Sequence, residues 1–180
     1  TIMPTLLPMF LKHFITKFPK VNLIIKEQNT EQMIRNIQDG HLDAGIAATP
    51  LEIEYITERP LYYEPFVGYV PETHRLGKVV KLDEHFQLQS GSFETLVNLA
   101  DEGLGMTLLP FLNTMALDNG KKRNIKYFNE PSPAREVSLI YHKSELKIQI
   151  TEALRDVISG VVRGAIAFQD VKIISPLNKK

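Results

Sequence analysis

A hydroxyl or amide at the start of a helix can meet a small polar ligand, and the chain offers such residues at Thr1, at Asn29 and Thr30, and at Ser92. Asn29 and Thr30 precede Met33, Ile34 and Ile37; Ser92 precedes Phe93, Leu96, Val97 and Ala100. Both sets show helical spacing. A capping side chain there accepts a bond from an orphan backbone N–H and contributes about 1 kcal/mol. The same helix end carries partial positive charge, so the hydroxyl can instead face a polar or anionic ligand. Residue types alone favour the plain cap. Other chemistries are less well supplied. With no cysteine, the polypeptide as given has no thiol nucleophile, disulfide framework or thiol redox couple. His13, His41, His74, His85 and His142 lack metal-ligand spacing and read as surface or turn residues. No pair of carboxylates lies in an apolar setting suited to acid–base work. Gly103-Leu104-Gly105 ends a helix rather than opening one, so it is no phosphate loop. Lys121-Lys122-Arg123 reads as a solvated run after a turn. No catalytic residue, metal or cofactor is expected, and an enzyme is the least favoured reading.

The elements that position these residues follow from the hydrophobic pattern. Of 180 residues, 43% are apolar and 23% charged, the composition of a folded chain long enough for one large domain or two small ones. Lys+Arg 21 balance Asp+Glu 21, so the chain lacks the basic surplus of a duplex binder. No apolar run reaches membrane-spanning length, and the expected setting is a soluble intracellular one. Pro4 to Phe18 reads as a helix ended by Pro19, Val21 to Lys26 as a strand, Asn29 to Gly40 as a capped helix, and Asp43 to Ala48 as a buried strand. That succession predicts a parallel α/β unit. Leu61 to Tyr69 predicts two short strands bent at Pro65, and Pro71 to Lys78 a linker. A second α/β unit follows, from the helix after Ser92 through strands at Met106–Leu109, Ile125–Phe128 and Glu136–Tyr141. Lys147 to Arg163 predicts the longest helix, and Val171 to Ile174 a last strand. Two halves of this kind leave a cleft, with ligands near strand ends and helix N-termini. In the first helix the core stripe is Leu7, Phe10, Leu11, Phe14 and Phe18, and Leu6 and Met9 project outside it. The apolar arc covers roughly two-thirds of the circumference, so Leu6 and Met9 are expected to be buried by a second subunit.

Phe18-Pro19, Val21, Ile37, Gly40, Leu42 and Asp43, followed by Gly103, Gly105, Leu108, Leu109 and Pro110, give two motifs in order. Over Thr1 to about Arg163 the chain thereby resembles the effector-binding domain of LysR-type transcriptional regulators. Thr1 with Pro4, Leu6-Leu7-Pro8, the Glu27-to-Thr30 run, Pro60-Leu61, Glu64-Pro65 and Ser92 with Glu94-Thr95-Leu96 are similar to the OxyR branch, the peroxide sensors. The resemblance implies two Rossmann-like subdomains around a central cleft, a type 2 periplasmic-binding-protein-like α/β fold. Subdomain I would be residues 1–70 and 143–180, and subdomain II residues 71–142. It implies a cytoplasmic homodimer (a tetramer at full length) with an upstream winged helix-turn-helix contacting promoter DNA, RNA polymerase as a further partner, and no membrane. It places Thr30 at the peroxide, Thr1 toward a reactive loop, and Ser92 on the cleft wall, where the plain cap remains the favoured role. Two departures stand out. The family's first strand would precede Thr1. The stretch holding its redox cysteines would fall between His85 and Ser92, where this chain has almost nothing. Two alternatives stay open: a LysR-type domain for a small organic effector, such as a carboxylate, and a two-lobed solute-binding protein.

Overall fold

The computed structural model describes residues 2–71, 92–166 and 171–174. Thr1, His74, His85 and nearly all of the expected Pro71–Lys78 linker lie outside them. Helix α1 spans Met3–Lys17, with Pro4 in its first turn, where a missing N–H costs nothing. Its buried residues are Leu6, Phe10 and Phe14, spaced four apart on one face. They enter a core with Leu61, Tyr62, Val137 and Leu139 of the sheet and with Val157, Ile158 and Val162. Leu6 is fully buried by its own chain, and Met9 is half-buried against the same cluster. Of the two residues expected at a subunit contact, Leu6 is thus covered by its own chain, while Met9 keeps a partly exposed side. The helix is packed on more than one flank, so its wide apolar arc serves its own core.

Helix α2 (Thr30–Gln38) lays Met33, Ile34 and Ile37 on a second cluster containing Ala47, Leu51, Ile56 and Ile140. Strand β1 (Gly45–Thr49) pairs antiparallel with β5 (Ser132–His142). The expected strand at Val21–Lys26 is extended chain without a ladder, with Ile24 73% exposed. A cavity of about 120 Å³ is lined by Leu23, Ile24 and Ile25 together with Ala44, Gly45 and Ile46. A strand next to open space makes no inter-strand bonds. The α/β class holds, but the expected parallel unit is corrected. Among the described residues only β5 and β6 (Val171–Ile173) pair in parallel.

Strand β2 (Ile56–Tyr69) is one 14-residue strand, not two, with its register irregularity between Pro60 and Tyr62. Residues Ile56 to Pro65 pair with β5, and Phe66 to Tyr69 pair with β3 (Thr107–Pro110). Gly68 and Tyr69 also pair with β4 (Ile125–Lys126). Pro65 sits where β2 exchanges partners, a place where its lack of an N–H is tolerated. The ladder of β2 thus changes partner at Pro65/Phe66. All of β5 pairs with β1 or β2. In the second half, helix α3 (Phe93–Asp101) packs Val97 and Ala100 on Val67, Tyr69, Leu109 and Ile125. The short helices α4 (Phe111–Thr114) and α5 (Asn119–Lys122) follow, the Asp118 side chain capping α5 by accepting from Lys121 N at 2.8 Å. Helix α6 (Ile148–Arg163) returns to the first core.

Candidate functional site

A cavity of about 710 Å³ lies between the first turn of α1, the first turns of α3, and the α4–α5 segment. Pro4 and Thr5 come from α1, and Ser92, Phe93, Glu94, Val97 and Asn98 from α3. Asn113, Ala116, Leu117, Asp118 and Lys121 close the other side. Ser92 is there because it caps α3, its hydroxyl accepting from Thr95 N at 3.3 Å. Thr5 donates to the Ile2 carbonyl at 3.1 Å. Asn113 leaves its Oδ1 buried without a hydrogen-bond partner, an acceptor that a ligand donor would satisfy.

One wall is held by a polar network. Lys121 Nζ lies 3.0 Å from Asp101 Oδ2 and donates to Asn98 Oδ1 at 3.0 Å. Tyr69, buried in the second core, donates its hydroxyl to Asp101 Oδ1 at 2.6 Å. Asn124 Nδ2 donates to the Tyr69 oxygen at 3.2 Å. Desolvation pushes the Asp101 carboxyl up, but the bonds from Tyr69 and Lys121 together outweigh it, and the net shift is downward. Desolvation and the bond to Asp101 raise the Tyr69 phenol. The site therefore offers two hydroxyls, two amides and charges of both signs. That suits a small polar molecule and supplies no activated nucleophile.

Of the sequence-predicted residues, Ser92 lines this cavity. Asn29 and Thr30 do not. Asn29, not Thr30, is the N-cap of α2, its side chain accepting from Gln32 N at 2.9 Å. That leaves the Thr30 hydroxyl one position inside the helix, exposed, with no cap to make. The expected pairing of Thr30 with Thr1 involves a residue outside the described ones. Thr1 lies outside the described residues. Thr5 and Asn113 carried no expectation, and Lys121 was expected only as part of a solvated run. Thr5 carried the same helix-start signal as Ser92, Lys121 was masked by its basic neighbours, and nothing local marked Asn113. Ser92→Ala is expected to cost about 0.5–2 kcal/mol, at the lower end given the long bond, as measured by urea unfolding.

Residues 1–84 match the LysR substrate binding domain family. The chain is 26% identical over 205 residues to a "Probable hydrogen peroxide-inducible genes activator" of Streptomyces viridosporus, covering 91% of this chain and 66% of that protein. It is 29% identical over 199 residues to the "DNA-binding transcriptional dual regulator OxyR" of Escherichia coli K12, covering 89% of this chain and 64% of that one. The chain thus spans slightly less than two thirds of these relatives. Both alignments are longer than the chain's 180 residues, so the relatives carry residues without a counterpart here. The crystal structure of OxyR from Porphyromonas gingivalis superposes with a TM-score of 0.87 at 22% identity, covering 96% of this chain and 94% of that one. The reduced form of OxyR superposes at 0.77 and 26% identity, covering 93% and 94%. These likenesses bear out the LysR-type resemblance and its peroxide-sensor leaning.

Proposed function

We propose that this chain, a LysR-type effector-binding domain of the OxyR kind, is the sensing half of a bacterial DNA-binding transcription factor that answers hydrogen peroxide. The observation that carries this reading is the likeness to a peroxide-inducible activator along 91% of the chain. The whole factor works in the cytoplasm as a homodimer that becomes a tetramer at full length. An upstream winged helix-turn-helix binds promoter DNA, and RNA polymerase is a further partner. Its output is a change of shape rather than a turnover, which needs no catalytic constellation. An input that favours one packing of the two halves shifts the population and hence the spacing of the DNA-binding domains. In this reading the slot between residues 21–28 and β1, roofed by Met3, Leu7 and Phe10, takes the strand that the family carries ahead of Thr1. Among the described residues no helix is long and apolar enough to cross a membrane.

The sequence given has no cysteine; the thiols that the peroxide reading requires would belong to the stretch the family carries between the positions of His85 and Ser92. There one thiolate would attack peroxide, leaving a sulfenic acid and hydroxide, and a second thiol would displace water to form the disulfide. The test is mass spectrometry of the full-length native protein after equimolar peroxide. A pair of thiols should lose two hydrogens as a disulfide, and promoter binding should change with it. A native protein with no thiol pair overturns the peroxide reading. One observation favours a second reading in that event, a small organic effector: the 710 Å³ cavity with Thr5, Ser92 and the unpartnered Asn113 oxygen.

A further inference from the structure

The geometry points to Glu64 as the residue that sets how the two halves sit on one another, acting through Arg135 and the backbone amide of Leu112. This deepens the proposed switch and rests on the reading of the chain as a two-half device. Glu64 is 1% exposed and lies directly opposite Arg135 in the β2–β5 ladder, one residue before the Pro65/Phe66 exchange of partners. Arg135 donates to Glu64 Oε2 from Nε at 2.9 Å and from Nη2 at 2.7 Å, a two-pronged pair. The other oxygen, Oε1, accepts from Leu112 N at 2.9 Å. Leu112 belongs to α4, which follows the second half's β3, yet its side chain is buried in the first half's core beside Leu6 and Phe10. One carboxylate thus fastens three segments: β2 as it leaves one sheet, β5 beside it, and the first turn of the helix that bridges the halves.

The next residue along α4 is Asn113, which lines the cavity. A displacement of α4 therefore moves the cavity wall, and a change in the cavity is felt at the carboxylate. The buried Tyr62 hydroxyl, two residues away on β2, has no partner of its own. Beside the Glu64 clamp, Thr49, Glu136 and Ser138 bond one another across β1 and β5. Glu64 and Arg135 are positioning residues: they touch no ligand and hold the frame in which one is met.

The absence of cysteine makes the test direct. Spin labels on Glu31→Cys (α2) and Lys122→Cys (α5) report the separation of the halves by pulsed electron resonance, without any ligand or peroxide. The background chain should give a single narrow distance. In the same background Glu64→Met with Arg135→Met fills the volume without charge, and the distance should broaden or move while circular dichroism keeps the fold. A folded double variant with the narrow distance unchanged overturns the inference. If the double variant does not fold, Arg135→Lys decides. It keeps the charge but loses the fork, so the distance should broaden, and an unchanged distance overturns the proposal. Since no thiol of the native protein enters, the outcome is separate from whether peroxide is the input.

Discussion

Arg135→Met alone should destabilise the chain by about 3–5 kcal/mol, seen as a large drop in the urea midpoint at neutral pH. The reason lies in Glu64. With its partner gone, a carboxylate that is 1% exposed keeps the bond from Leu112 N but has no counter-charge, and water cannot reach it. Leaving one member of a buried pair is far costlier than removing both. The double substitution Glu64→Met with Arg135→Met should recover much of the loss. It leaves only the Leu112 N–H unsatisfied, which costs about 1–3 kcal/mol. A single variant no less stable than the double would mean that water enters and solvates Glu64. For scale, Lys147 and Asp43 make an exposed pair at 2.8 Å whose removal should go nearly unnoticed.

Leu6→Glu should leave the chain unfolded rather than merely dissociated. Leu6 is fully buried in the cluster that also holds Leu61, Leu112, Val137 and Leu139, and α1 packs on α6. The substitution forfeits about 1.5–3 kcal/mol of apolar burial and adds the penalty for an unpaired polar group, roughly 2–7 kcal/mol. Together these approach the whole stability of an ordinary domain, about 5–15 kcal/mol. Leu6→Ala should cost less, about 2–5 kcal/mol. Met9→Glu is the internal control: Met9 is half-buried, so its long side chain can turn outward and the fold should survive. Circular dichroism with analytical ultracentrifugation separates the outcomes. A folded Leu6→Glu that differs only in oligomeric state would restore the subunit-contact reading of α1.

Local structure was legible wherever its cause is local. Pro4 and Pro19 bracket α1, Asn29 and Ser92 cap α2 and α3, and Gly40 closes α2 with a positive φ of 71°. Each is decided within a turn of chain, by a fixed φ, a short acceptor side chain or a missing Cβ. The placing of Ser92 on a cleft wall came from the family resemblance and not from this local signal. What periodicity cannot report is which neighbour an element meets. The arc of α1 is equally apolar whether a second subunit or its own α6 covers it, and only packing placed Leu6 inside. Val21–Lys26 reads as a strand by its residues, but a strand needs a hydrogen-bonding partner, and across the cavity it has none. Pro65 looked like a break because a proline removes a donor; the tertiary ladder made it the point of exchange between two sheets, where no donor is asked for. Glu64, Arg135 and Leu112 lie 71 and 48 residues apart along the chain, and no spacing rule joins them. Their bond is set by burial and by the meeting of strands, and so it belongs to the tertiary structure alone.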